Sequence, residues 1–381
     1  MEIRQVQFNK GAFATLLLEP LQKLEPMLVL VFADKKYFMD PVVISALLAA
    51  FPTAHCVGVS TAGEISNQGV REASCVITAV RFAQGSVRVA TAEVSSPDAS
   101  RQSGILAGKG LPEQDLRAVL LFAPGKAVNG CALVAGVSSV VGTDMTIVGG
   151  LAWDAHTDQQ TLAISANKIT TQQVVAVGLY GLSLKIRSCS QGGWVPFGPL
   201  RKVTRCEGNV LLELDGEPAL DLYNRYLGNY AKDLPDSGLR FPFEMRHSNS
   251  ATSGLIRTVL DIDRQRGGVI LGGDVDPNGH MRLMHVTTAK LVSGAGQAAA
   301  CILKDDPERR PGLGLLISCA GRKLIMGDQI ADEWEVVHNT LGRHITVTGF
   351  YAHGEIGPLG TTRTCKLHNQ TMTIALITEN T

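Results

Sequence analysis

Hydrophobic and polar positions along this chain alternate between two periods. Short, almost unbroken apolar runs, Leu28–Ala33, Ala118–Ala123 and Gly314–Cys319, read as strands buried on both faces. Each leads into a stretch of helical spacing, near Pro41–Phe51, Gly130–Val140 and Gln329–Leu341. A second strand-like run then ends in a glycine-containing turn, over His55–Ile65, Met145–Asp154 and His344–Ile356. The same strand–helix–strand plan therefore occurs three times, the mark of a fold built from one repeated supersecondary unit. Gly58 and Gly349 are 291 positions apart, as are Glu64 and Glu355, so the end of the unit repeats without a gap. At its front, Ala33 and Ala320, Lys36 and Lys323, and Met39 and Met326 are 287 apart. That difference predicts a four-residue insertion in the third unit, about one helical turn.

Alternating stretches at Ala73–Phe82, Gln173–Leu184, Val269–Leu271, Met281–Val286 and Thr371–Leu376 predict further strands. Turn formers over Gln191–Pro199 and the polar stretch Lys232–Ser253 predict surface loops. At 381 residues the chain exceeds what one growing core supports. The expected fold is α/β, with α+β as the alternative: mixed sheets covered by helices, built from the repeated units in two fused lobes, residues 1–200 and 201–381.

Composition narrows the function. Hydrophobic residues make up 45% and charged residues 18%, with 35 basic against 35 acidic side chains. Such a chain folds, and a net charge of zero without a basic run argues against nucleic acid or an acidic membrane as partner. The start lacks a secretory signal and no apolar run reaches membrane-spanning length, so a cytoplasmic location is expected. The 8 cysteines are scattered without a Cys-x-x-Cys pair, which suggests neither a zinc site nor a disulfide framework. Gly267–Gly279 lacks the Lys-Ser/Thr of a phosphate loop and the terminal Glu of a calcium loop, and reads as a turn.

Several ordered blocks carry a resemblance. They are Gly58-Val-Ser-Thr-Ala-Gly-Glu64, the Gly149-Gly150 pair, Gly193–Pro199, Glu213–Ala219, Ser318-Cys-Ala-Gly-Arg322, Gly349–Pro358 and Leu367-His-Asn-Gln-Thr371. Together they resemble the FIST family over nearly the whole chain. The resemblance implies an intracellular sensory module that binds a small ligand, such as an amino acid, and signals to a partner such as a histidine kinase. Some stand-alone members of that family bind haem and sense nitric oxide, so haem b is a candidate cofactor. The sequence offers no convincing catalytic constellation, so no enzyme is expected, and a homo-oligomer stays open. One departure is Trp153-Asp154-Ala-His156 after the glycine pair, which predicts an altered pocket.

The candidate site residues follow from chemistry at strand ends. Arg322 can grip a ligand carboxylate or haem propionate with two parallel hydrogen bonds; the plainer reading is a local ion pair. Cys319 reads first as a buried apolar side chain and second as the nucleophile of a hydrolase or transferase, for which no local Cys-His dyad is present. Ser60-Thr61-Ala62-Gly63-Glu64 in the first unit corresponds to Tyr351-Ala352-His353-Gly354-Glu355 in the third, which suggests a shared, pseudo-symmetric pocket. The two glutamates can hold a ligand ammonium group or tie down the turns. His353 stands where the first unit has Ala62, so packing does not require an imidazole there, and it is the first choice as haem-iron ligand, ahead of His368, His247 and His156.

Overall fold

The computed structural model describes residues 1–9, 13–125, 128–154, 160–165, 168–247, 254–304, 309–359 and 364–380. The three apolar runs form the centres of three six-stranded sheets. In the first, Leu28–Ala33 lies parallel to His55–Ser60 and antiparallel to Ser74–Arg81, with Glu2–Asn9 on the edge. In the second, Leu116–Ala123 is parallel to Thr146–Leu151 and antiparallel to Gln173–Tyr180, flanked by Ser86–Glu93. In the third, Gly312–Cys319 is parallel to Ile345–Ala352 and antiparallel to Met372–Glu379, flanked by Leu184–Gln191. Parallel neighbours need a crossover, and helices provide it. Pro41–Ala50, for example, starts where Asp40 caps the Val42 N–H at 2.9 Å and Pro41 fills the first helical position.

Each unit also exports a hairpin. Glu64–Ser66 of the first unit pairs with Ile345–Ala352 of the third. Ala163–Ser165 of the second pairs with His55–Ser60 of the first. Gly354–Pro358 of the third pairs with Thr146–Leu151 of the second. The exchange is cyclic, so no unit completes its own sheet. Because both faces of each sheet are covered at its centre, the central strands are almost unbroken apolar runs, whereas flanking strands such as Glu2–Asn9 and Ser86–Glu93 alternate. Their inner faces meet in one core, where Phe32, Phe122 and Phe350 have ring centroids 4.8–6.2 Å apart. Their outer faces are covered by helices such as Ser100–Lys109, Gly130–Val141, Thr288–Leu303 and Ile330–Leu341.

Between Gln191 and the helix Thr288–Leu303 the third unit carries an inserted nine-stranded sheet with its own core around Tyr223, Phe243, Met245 and Leu271. The α/β class with mixed sheets is thus present. A division at residue 200 does not separate two sheets: Leu184–Gln191 pairs with Met372–Glu379, and the Glu64–Ser66 hairpin with Ile345–Ala352. Strand register also changes the insertion length in the third unit. Gly58 lies opposite Val31 and Gly349 opposite Leu316, so the two spacings differ by six residues, not four. Among the described residues no helix is long and apolar enough to cross a membrane.

Candidate functional site

Gly58, Gly149 and Gly349 occupy one repeated position. A Cβ there would lie 1.8 Å from the Val31 carbonyl oxygen, 1.9 Å from that of Leu121 and 1.8 Å from that of Leu316. Opposite each glycine the exchanged hairpin places an isoleucine: Ile164, Ile356 and Ile65. The residue before that isoleucine is Ala163, Glu355 or Glu64, so two of three equivalent positions carry a carboxyl group.

Both glutamates are fully buried and tie down turns. Glu64 accepts from Thr61 Oγ1, from Ser74 Oγ at 2.6 Å and from the Ser74 N–H at 3.1 Å. Glu355 accepts from the Thr371 N–H at 3.0 Å and from its hydroxyl at 2.8 Å. Ser60 Oγ accepts from the Leu162 N–H at 2.8 Å. Burial pushes Glu64 up to about 7 and Glu355 up to about 8, with the hydrogen bonds opposing it. A carboxyl whose folded value is raised stabilises fully below its ordinary value of 4.5, and that contribution is lost as pH rises through the folded value. Thermal midpoints should therefore fall between pH 5 and 8.5, on the order of several degrees. The Glu64→Gln/Glu355→Gln double variant should show a flatter pH profile in the same melting series; an unchanged slope would refute proton retention.

In the third unit the strand ends are closed. Arg322 is 0% exposed, and its guanidinium grips a carboxylate of its own chain, Glu333, through Nε at 2.9 Å and Nη2 at 2.5 Å. Its other hydrogens reach the carbonyl oxygens of Gly192 at 2.7 Å and Leu291 at 2.8 Å. Ser318 Oγ at 2.9 Å and the Tyr351 hydroxyl at 3.0 Å donate to the second Glu333 oxygen. Cys319 is buried near Glu355, and burial holds its thiol far above the ordinary value, which disfavours the nucleophilic thiolate. Arg322, Ser318 and Tyr351 thus come together around Glu333 in a dry, hydrogen-bonded cluster.

The second unit's strand ends are open. Ala123 and Leu151 lead into a cleft of about 670 Å³ lined by Asn129, Trp153, Asp154, Thr161 and His353, and roofed by Asp261 and Gly272-Gly273-Asp274 of the inserted sheet. Ligands of open α/β sheets enter at this end of the strands. The loop after Ala123 is pinned: the Gly125 N–H donates to Thr161 Oγ1 at 2.9 Å. A Cβ on Gly125 would lie 2.1 Å from the Ala152 carbonyl oxygen. Asn129 caps the helix Gly130–Val141 by accepting from the Ala132 N–H at 3.0 Å, and its amide donates to Asp274 at 3.0 Å. Lys35 of the first unit pairs with Asp154 at 3.0 Å.

Only part of the expected constellation reaches this cleft. His353 does, because its hairpin is exchanged onto the second unit, where its N–H bonds the Leu151 carbonyl at 2.9 Å. Trp153 and Asp154, the departure noted in the sequence, line it too. His368 is fully buried, bonded to the Gly357 carbonyl oxygen at 2.8 Å, and burial lowers it to about 4. His247 faces a neighbouring cavity and pairs with Asp276 at 2.6 Å. His156 lies outside the described residues. Sequence reading missed Asn129, Thr161, Asp261 and Asp274. The Gly272-Gly273-Asp274 turn was visible, but nothing local placed it over the second unit.

Three strand–helix–strand units with exchanged hairpins and a cleft at the second unit's strand ends define a pseudo-symmetric α/β protein. The chain belongs to the FIST family: the FIST N domain matches residues 27–217 and the FIST C domain residues 219–358. FIST domains are associated with small-ligand sensing in signalling. An uncharacterised protein of Mycobacterium tuberculosis strain H37Rv is 27% identical over 246 residues, and one of Mycobacterium bovis 25% identical over the same length. Each match covers 61% of this chain and 61% of the relative, less than two thirds of the relatives' own length. A crystal structure of cyanuric acid hydrolase from A. caulinodans aligns over 100% of this chain and 99% of its own, with 9% identity and a TM-score of 0.40.

Proposed function

We propose that this chain is a sensor for a small molecule bearing an amine on an apolar body, seated in the cleft of the second unit. The observation that carries this reading is the lining: Asp261 and Asp274 face a cleft of about 670 Å³ whose described lining residues include no lysine or arginine, while Asp154 in the same lining is held by Lys35. That volume suits a small ligand. Leu151, Leu260, Leu271 and Trp153 offer apolar contact, and carboxylates at its polar edge suit an ammonium group. The roof belongs to the inserted sheet and the floor to the second unit, so a ligand bridging them biases their relative position. A partner, such as the histidine kinase that the family resemblance implies, would read that change.

Haem fits this lining poorly. His353 lines the cleft, but two propionates would face Asp261 and Asp274, and the described lining residues include no lysine or arginine. The reading is tested by titrating free amino acids and polyamines while following Trp153 fluorescence, with Trp153→Phe as the control that the signal is local. Saturable quenching by an amine supports it. A Soret band in the purified protein that is lost in His353→Ala would overturn it in favour of haem. The exposed Asp261→Asn variant should fold normally and bind the active amine about tenfold more weakly, the effect of losing one charge-assisted bond.

A further inference from the structure

A second cavity, of about 580 Å³, lies between the helix Gly130–Val141 and the inserted sheet. Its wall holds Arg257, which is only 2% exposed. Unlike Arg322, this buried guanidinium has neutral acceptors: the carbonyl oxygens of Asp274 at 3.2 Å, Leu367 at 3.1 Å and Ile256 at 3.4 Å. Among the described residues its Nη2 has only the Cys131 sulfur, at 3.7 Å, a weak acceptor. Among the described residues no carboxylate forms an ion pair with it. A buried cation without a counter-charge is costly, and the fold retains this one at the wall of a cavity large enough for a small molecule.

The other charged groups at this cavity are consistent with an incoming anion. Asp276 is engaged by His247 at 2.6 Å and by the Asn278 N–H at 2.9 Å, and the Asp274 carboxylate accepts from Asn129. Lys366 adds a second cation to the lining. We propose that this cavity, which adjoins the amine cleft at Asp274 and Leu367, is an anion-binding site in which Arg257 completes its charge pairing with the oxyanion of a carboxylate or phosphate ligand. The guanidinium fork matches both groups, and Cys131 sits where the ligand oxygen approaches Nη2.

Isothermal titration of the full chain with inorganic phosphate, and separately with succinate, tests the site and tells the two sources apart. At least one should give a saturable, single-site heat: phosphate alone points to a phosphate-bearing ligand, succinate alone to a carboxylate. Arg257→Met should abolish it. Should that variant fail to fold, Cys131→Asp decides, since it places a carboxylate beside Nη2 as a built-in counter-ion and should weaken anion binding at least about tenfold. Absence of heat from both anions with the wild-type protein, or unaltered affinity in Cys131→Asp, overturns the proposal.

Discussion

Glu333→Ala should destabilise the protein by about 3–5 kcal/mol, the cost of leaving one member of a buried ion pair alone. Arg322 and Glu333 are both fully buried, and the Glu333 oxygens also accept from Ser318 and Tyr351. Removing the carboxylate leaves a guanidinium, a phenol and a hydroxyl without their shared acceptor in a site that water does not reach. Arg322→Ala should cost a similar amount, whereas a ligand-gripping arginine at an exposed strand end would be dispensable to folding. The paired substitution Arg322→Met/Glu333→Leu should recover much of the loss, because two apolar side chains carry no desolvation penalty. Denaturant midpoints for the single and double variants check this. A Glu333→Ala midpoint equal to that of the wild type would refute it.

Gly349→Ala should cost at least about 3 kcal/mol, beyond the usual range for small overpacking in a core. The added Cβ would sit 1.8 Å from the Leu316 carbonyl oxygen, which is strand backbone and has no rotamer to yield. Separation of Gly312–Cys319 from Ile345–Ala352 at this point would also disturb the exchanged hairpin, since Ile65 pairs with Gly349. Gly58→Ala and Gly149→Ala should behave alike, because the same clash recurs against Val31 and Leu121. The checks are the denaturation midpoint and the yield of folded protein. A loss under 1 kcal/mol at all three positions would show that the strands part more easily than their pairing implies.

The repeat itself was legible in the sequence because it rests on local signals. Doubly buried strands need unbroken apolar runs, crossover helices need apolar faces and caps such as Asp40 and Asn129, and the strand crossing needs glycine at 58, 149 and 349. A register of Glu64 with Glu355 follows from the same local pattern, and the structure places both on exchanged hairpins. What each side chain meets was decided elsewhere. Arg322 looked available at a strand end, yet Glu333 eleven residues on, and Leu291 and Gly192 from other elements, enclose it. His353 reaches the second unit only because the hairpins exchange cyclically, a pairing chosen by sheet completion between segments about 200 residues apart in sequence. The cleft and the anion cavity depend on the inserted sheet folding back over the second unit, so Asp261, Asp274 and Arg257 carry no local mark of their neighbours. Periodicity reports which face of an element is buried; only long-range packing decides against what, and therefore that the second unit's strand ends open into a cleft while Arg322 and Glu333 close the third's.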